Sequence, residues 1–416
     1  MKEIIVIGGG AAGMMAALSA RKAGAHVTLA EHNEKLGKKL YITGKGRCNL
    51  TNDADADGFF AHVPRNPRFL YSAYSHFDNR DLMALMESLG VKLKVERGGR
   101  VFPASDRSSD ITRALERELT RWGVDIRLNS EIQALCLQSG RVAGVQDLGG
   151  AIQKADAVIV ATGGKSYSAT GSTGDGYTFA RSLGHEIVPP RPALIPLETV
   201  EEWPGELMGL SLKNVTLNYY KGKKKIFSEL GELLFTHFGL SGPLCLSLSS
   251  YLPDEPMGLP LFIDLKPALS EETLDNRLLR DFKEMSRKQL ISVLDGLAPH
   301  NLALMMARLA GLSPAQPVHS VTAAQRGALK NLLKHLPLTA KRFRPLEEAI
   351  ITRGGVSVKQ VNPSTMESKL APALYFAGEV LDVDALTGGF NLQIAFSTGA
   401  LAGSAAAGAL AGALER

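Results

Sequence analysis

Residues 3–31, EIIVIGGGAAGMMAALSARKAGAHVTLAE, constrain this chain more than any other stretch. Four apolar residues, Ile4-Ile5-Val6-Ile7, run directly into Gly8-x-Gly10-x-x-Gly13. An alanine-rich helical pattern follows, and then a second strand pattern, residues 25–30, that ends on Glu31. Strand, glycine turn, helix and a second strand closed by an acid make a dinucleotide-binding βαβ unit. Gly8 allows the turn, Gly10 omits a side chain where pyrophosphate must approach the backbone, and Gly13 lets helix and strand pack closely. Ala11 and Ala12 open the helix, whose N-terminus offers free N–H groups and a positive dipole end to the phosphates. Glu31 stands where a carboxylate accepts the adenosine ribose hydroxyls and disfavours the extra phosphate of NADP. A signal peptide also starts apolar, but three successive glycines and the continuing βαβ pattern argue against one.

A chain of 416 residues can bury large cores and is expected to form two or three domains. With 45% hydrophobic and 21% charged residues it has the composition of a soluble globular protein, and a net charge of +5 does not by itself call for nucleic acid. The basic runs Lys221-Gly222-Lys223-Lys224-Lys225 and Lys341-Arg342-x-Arg344 read as a hairpin tip and a solvated surface. The three cysteines, Cys48, Cys136 and Cys245, have no CxxC spacing. That argues against a dithiol relay and suits a reducing cytoplasm. No apolar run suggests a membrane span. The late GALAGSAAAGALAGAL stretch reads as a packed helix lying close to the βαβ unit.

Along the chain, a glycine- and lysine-rich loop covers 37–52. Helical patterns follow around 66–89 and 109–122, with strands at 91–96, 101–103, 124–128, 132–138, 141–148 and 155–161. Composition shifts at Pro189-Pro190-Arg191-Pro192. Short alternating strands over 193–265 indicate a small β domain or barrel, and helical periodicity over 270–336 a compact cap. Strand and loop patterns return near Pro345. The expected architecture is α/β: a three-layer, Rossmann-like (ββα) FAD-binding domain, discontinuous over 1–190 and 346–416. The interruption is a β domain (191–268 with 337–345) and a small helical domain (269–336). The cofactor's reactive end is then expected to face the inserted lobe, since ligand sites favour such interfaces.

NAD and FAD share the first fingerprint, and three later features favour FAD. Ile132 follows a strand and can meet the adenine through its backbone. Residues 157–164 form an apolar strand running into Ala161-Thr162-Gly163-Gly164. A late strand ends at Gly378-Glu379, where Glu379 can bond the ribitol chain, and a Gly388-Gly389 turn opens the last helix, with Gly389, Asn391 and Leu392 at the pyrimidine edge of the flavin. A positive helix end there would support the charge of the reduced ring. In the 37–52 loop, Gly44 and Gly46 let backbone pass the cofactor. Lys38, Lys39 or Arg47 can offset phosphate charge, and Asn49 and Asn52 can bond the ring edge. Cys48 lies in the same loop, and without a partner cysteine it is read as space-filling rather than redox-active. No second GxGxxG occurs, so NAD(P)H, if it is the donor, must dock transiently.

At these residues the chain resembles a known family. The resemblance rests on Gly8–Gly13, Thr43-Gly44-Lys45-Gly46-Arg47-Cys48-Asn49-Leu50-Thr51-Asn52, the run 235–243 (FTHFGLSGP), Thr352-Arg353-Gly354-Gly355-Val356, and 378–393 with its Gly-Glu, Gly-Gly, Asn391 and Gln393. It spans the whole length. The chain is similar to the bile-acid-reductase-like (BaiN-like) and aminoacetone-oxidase-like NAD(P)/FAD-dependent oxidoreductases. The resemblance implies FAD and a fold with an inserted barrel and helical lobe. Lys45 departs from the glycine expected between Gly44 and Gly46.

The functional expectation is an FAD-dependent oxidoreductase, NAD(P)H-linked, passing hydride through flavin N5 to or from a small organic substrate, with enoyl C=C reduction as the reaction in view. No residue is assigned as catalytic. His237 could donate a proton or simply bond its own loop, Arg353 could clamp an anion or pair with an acid, and Asp382 and Asp384 could bond the cofactor or hold their loop. Neither nucleic acid nor membrane is expected as a partner, and no metal. An RNA-acting, tRNA-modifying flavoprotein and a non-catalytic flavin-binding sensor are the alternatives.

Overall fold

Five parallel strands order the first part of the molecule. Across the sheet they run Leu374–Phe376, Ala157–Val160, Glu3–Ile7, His26–Ala30 and Asp125–Arg127. Ile4 is in register with Ala157 on one side and Val27 on the other. The central strands are buried on both faces, which is why they read as continuous apolar runs rather than alternating ones. This computed structural model describes residues 1–409. Two units make up the chain: Met1–Ala193 with the chain from Leu346 onward, and Leu194–Pro345.

In the first unit the opening helix, Ala11–Lys22, covers one face of the sheet, and a three-stranded meander (Ile132–Gln138, Arg141–Asp147, Ile152–Lys154) supplies a further layer. The closing helix, Phe390–Ala407, packs on the opening one. A Cβ added at Gly399 or Gly403 would overlap the backbone carbonyls of Ala12 and Ala16. The late Ala/Gly stretch thus lies against the βαβ unit as far as residue 409; its remaining residues fall outside the described ones. Ile187–Ala193 pairs antiparallel with Ile351–Val356, so the first unit extends to Ala193 rather than stopping at 190. The 37–52 segment is not all loop: Lys38–Ile42 forms a short helix and Thr43–Gly46 a 3₁₀ turn.

The second unit is built on a closed six-stranded barrel, Leu197–Thr199, Gly239–Ser241, Lys224–Thr236, Ser211–Lys221, Pro260–Asp264 and Leu336–Phe343 in spatial order. One apolar cluster joins barrel residues such as Leu217, Phe235 and Ile263 to Leu274, Leu278, Leu302 and Leu329 of the helices. Barrel and helices therefore share a core. The basic run 341–344 is not simply solvated: Arg342 and Arg344 hold the buried Glu198 carboxylate at 2.8 and 2.9 Å. A buried carboxylate on a strand needs such partners. Among the described residues no helix is long and apolar enough to cross a membrane.

Candidate cofactor site

The site is built where the first strand ends. Gly8 takes φ +102°, and a Cβ there would lie 2.6 Å from Ala161 O, on the neighbouring strand. Ala161 N in turn donates to Ile7 O at 2.9 Å, so the two strand ends are clamped together. A Cβ at Gly13 would overlap the Gly8 carbonyl oxygen. These two glycines are required by the protein's own packing. Gly10 is different: a Cβ there meets nothing within 4 Å. The opening helix has no side-chain cap, so the first amides at Ala11, Ala12 and Gly13 have no intrahelical acceptor. Open space over a glycine, beside uncapped amides at a helix N-terminus, fits a pyrophosphate.

Glu31 is buried and fixed. Its Oε2 accepts from Gly9 N (2.6 Å), and its Oε1 accepts from Asn33 N (2.8 Å) and Asn33 Nδ2 (2.7 Å). Three of the roughly four lone-pair positions of a carboxylate are used, which leaves one for a ribose hydroxyl. Ser130 N bonds Glu31 O at 2.9 Å, which brings the segment leading into Ile132 beside it. Ile132 itself opens the meander opposite Asp147.

A second cluster gathers around Glu379. Lys39 Nζ reaches Glu379 Oε2 at 2.6 Å and Ser166 Oγ at 2.8 Å, while Glu379 Oε1 accepts from Ser166 Oγ (2.9 Å) and Thr352 N (2.8 Å). Thr352 Oγ1 accepts from the amides of Lys165 and Ser166. A Cβ at Gly164 would press into Thr352 and Glu379, and Gly163 makes the preceding turn at φ +76°. Lys39 is thus committed to Glu379 rather than left for phosphate, a correction that follows from pairing in a part-buried site. Ser166 and the hydroxyl of Thr352 were not singled out as a bonding pair in the sequence; residues 166 and 352 are joined only by tertiary contact.

Arg47 is a second correction. Its guanidinium pairs with Glu96 and with Asp106 (2.6 Å) and stacks over Phe102 at 4.1 Å. Its hydrogen bonds to Glu96 and Asp106 raise its own pKa; Arg47 holds the Glu96 carboxyl below the usual range, and Lys94 together with Arg47 does the same for Asp106. The arginine closes the hairpin behind the loop, and its charge is already balanced within the protein. Cys48 is fully buried, and burial pushes its thiol up to about 12, so at neutral pH it is a space-filling residue. Gly44 and Gly46 adopt φ +58° and +85°, and Lys45 between them adopts φ +59°. A non-glycine residue in that region costs about 1–2 kcal/mol. Lys45→Gly is expected to raise stability by up to about 1 kcal/mol after glycine's entropic cost, measured as an increased urea midpoint.

The closing helix begins at Gly389, φ +101°, without a side-chain cap. Asn49, oriented so that both amide atoms are satisfied, donates to Thr51 O (3.2 Å) and accepts from Gly389 N (3.1 Å), tying the loop to this helix end. Asn391 Oδ1 accepts from Ala385 N, and its Nδ2 donates to Ala385 O and Leu386 O. Its side chain is spent on the 385–391 loop, so at a ring edge only its backbone is free to act, as with the half-buried Leu392. Gly378, at φ +77°, passes within 2.7 Å of Ala12 Cβ if given a Cβ of its own. The turn after Phe376 thus packs against the opening helix near its N-terminus, while the start of the closing helix lies against Thr51. Thr162 Oγ1 and Tyr177 Oη are buried with no hydrogen-bond partner, and nothing in the sequence marked Tyr177.

Asp384 lies in the same late loop. It is fully buried, and neither carboxylate oxygen has a hydrogen-bond partner; Arg65 Nε stands 3.9 Å away. Burial raises its pKa against the lowering pull of Arg65 and Arg353, and Asp382 adds to the rise. A carboxyl whose native-state pKa is raised contributes stability that is fully present below the ordinary carboxylate range and is lost as pH rises through its native-state value. Asp384→Asn is therefore expected to flatten the fall in stability as pH rises out of the ordinary carboxylate range, read from urea midpoints along that rise. An unchanged slope would mean that Asp384 is ionised and paired. His237 sits in the exposed hairpin turn of the barrel, edge-on to Phe238, and no site geometry forms around it.

Sheet, glycine turn and the uncapped opening helix define a Rossmann-type dinucleotide-binding protein. The family described as HI0933-like protein Rossmann domain matches residues 2–405, and the chain belongs to it. It is 32% identical over 413 residues to a 3-dehydro-bile acid delta(4,6)-reductase of Clostridium scindens, covering 98% of this chain and 99% of the relative. It is also 32% identical over 402 residues to a ribosomal RNA dihydrouridine synthase of Haemophilus influenzae, covering 95% and 96%. Among solved structures, a quinol-fumarate reductase with menaquinol molecules aligns with TM-score 0.52 at 17% identity, over 99% of this chain and 72% of that one. That likeness speaks to the fold alone.

Proposed function

We propose that this FAD-dependent oxidoreductase saturates a carbon–carbon double bond conjugated to a carbonyl in a small organic substrate, with NADH or NADPH docking transiently as electron donor. The observation that carries the reading is a chemistry shared by relatives that match nearly the whole chain. A delta(4,6)-reductase of a 3-dehydro bile acid and a dihydrouridine synthase each add two hydrogens across a C=C bond near a carbonyl. Bound FAD, once reduced by NADH or NADPH, would supply the hydride for such an addition, with a proton completing it.

The chain's own residues then have separable tasks. The Gly8–Gly13 turn and the amides of Ala11, Ala12 and Gly13 bind pyrophosphate, with open space over Gly10 in support. Glu31 accepts a ribose hydroxyl, and the backbone at Ile132 lies toward the adenine. Glu379, braced by Lys39, Ser166 and Thr352, orients the ribitol chain. The first amides of the closing helix, from Phe390 to Leu392, favour negative charge at the ring's pyrimidine edge.

The test is direct. Purified protein is expected to be yellow, with absorption near ~450 nm that bleaches anaerobically on adding NADH or NADPH and returns on adding a conjugated enone. A colourless protein that takes up no FAD would remove the reading; a flavin that neither nicotinamide reduces would remove the donor. A second reading, reduction of a uridine base in RNA, is favoured by the Haemophilus relative's name and by the basic run at 221–225. Return of the flavin colour with an unmodified ribosomal RNA transcript, but not with enones, would select it.

A further inference from the structure

We propose that the tip of the long barrel hairpin is a contact surface for the phosphate backbone of an RNA, an inference that rests on the second reading above. Strands Ser211–Lys221 and Lys224–Thr236 pair with each other out to Lys221 and Lys224. Their outer neighbours stop short: along the hairpin, Pro260–Asp264 reaches no farther than Thr216–Tyr219, and Gly239–Ser241 no farther than Leu234–Thr236. The hairpin from Tyr220 to Lys225 is therefore a two-stranded ribbon with no strand on either side. Lys221, Lys223, Lys224 and Lys225 are all exposed on it, and none makes an ion pair or a side-chain hydrogen bond among the described residues. The half-exposed Tyr220 stands among them, opposite Lys225.

Lysines on a sheet edge also guard against edge-to-edge pairing. That role does not account for their placement. The edge of Lys224–Thr236 left unpaired by strands continues to Leu233 with no further lysine, and it carries Leu230 at 59% exposure. The positive charge is concentrated at the turn instead, while Glu229 and Glu232 stand farther along the same strand. Four ammonium groups within five residues repel one another unless counter-charges lie outside the protein. Flexible point charges on a narrow ribbon suit phosphate contacts, which position a nucleic acid without reading its sequence. Such a surface would hold a large substrate while the base chemistry is done elsewhere.

The experiment measures binding of the full-length, FAD-loaded protein to a fluorescent, unmodified ribosomal RNA stem–loop between 50 and 200 mM salt, as about the range over which phosphate contacts show. Each phosphate contact contributes roughly 0.7–0.9 to the slope of log affinity against log salt. The variant K223Q/K224Q/K225Q is expected to bind at least about 10-fold more weakly at the lowest salt, with the slope reduced by about 2–3. Its flavin content and its bleaching by nicotinamide should match those of the parent chain. The charge-retaining K223R/K224R/K225R should keep the affinity. Equal affinity and slope in the glutamine variant would overturn the proposal, and so would absence of RNA binding with lysine-dependent binding to phosphatidylserine vesicles instead. RNA bound through the lysines but never reduced leaves the surface standing and removes the RNA-reductase reading. RNA reduced equally well by parent and glutamine variant removes the surface and leaves that reading in place.

Discussion

Gly13→Ala is expected to yield protein without FAD, and much of it unfolded. The new Cβ would occupy the position of the Gly8 carbonyl oxygen. Neither atom can yield by a rotamer change, because one is backbone and the other is fixed to a helix. Gly8 is itself clamped against Ala161 by the parallel sheet. Relief requires the opening helix to lift off the sheet, where Met14, Ala16, Ala17 and Leu18 are fully buried. Overpacking of this kind costs roughly 1–3 kcal/mol and more where backbone must move, and it displaces the amides that receive the phosphates. Gly10→Ala supplies the contrast. Its backbone, φ −76° and ψ −170°, is open to any residue, and its Cβ would meet no protein atom within 4 Å. That variant should keep its urea midpoint within about 0.5 kcal/mol of the parent yet bind FAD at least about 10-fold more weakly. If Gly10→Ala holds FAD normally, pyrophosphate does not lie over that turn.

The pair also shows what was legible in the sequence. The βαβ unit could be read because its constraints are local: glycine at fixed offsets, a buried strand before them and an acid after the second strand. The closed barrel was legible as alternation over 193–265, and the helices as a change of period at 270. Charges were read less well. Lys39 and Arg47 looked like phosphate partners because a loop sequence shows cations and not what faces them. Glu379 is distant in sequence from Lys39, and Glu96 and Asp106 reach Arg47 only once the hairpin forms. Asn391 was placed at the ring edge through the backbone of the helix start, and its side chain holds the loop at Ala385 and Leu386, which the sequence does not show. Arg342 and Arg344 looked solvated because Glu198 lies on a strand of the barrel far from them in sequence. Cys48 was read as space-filling, and its burial agrees. Tyr177 and the bonding role of Ser166 had no sequence signal, since neither belongs to a periodic or spaced motif.

The closing helix gives the second large effect, because it sets two physical terms against each other at one residue type. In a helix interior, alanine is favoured over glycine by about 1 kcal/mol. Gly403→Ala is nevertheless expected to destabilise, by roughly 2 kcal/mol or more, since its Cβ would be driven into the carbonyl of Ala16 on the opening helix. Gly399→Ala meets Ala12 O in the same way, one turn earlier and behind the amides proposed to bind the pyrophosphate, so it should also lower FAD affinity. The two changes press on one interface and should couple rather than add. Gly327, in the helix Ala323–Lys334 of the second unit, is the matched control: a Cβ there meets nothing within 4 Å, and Gly327→Ala should stabilise by about 1 kcal/mol. The opposite signs make the experiment decisive, with urea midpoints and retained flavin as the readouts. If Gly403→Ala stabilises as Gly327→Ala does, the two ends of the chain do not meet helix to helix, and a cofactor cradle built from both of them has no foundation.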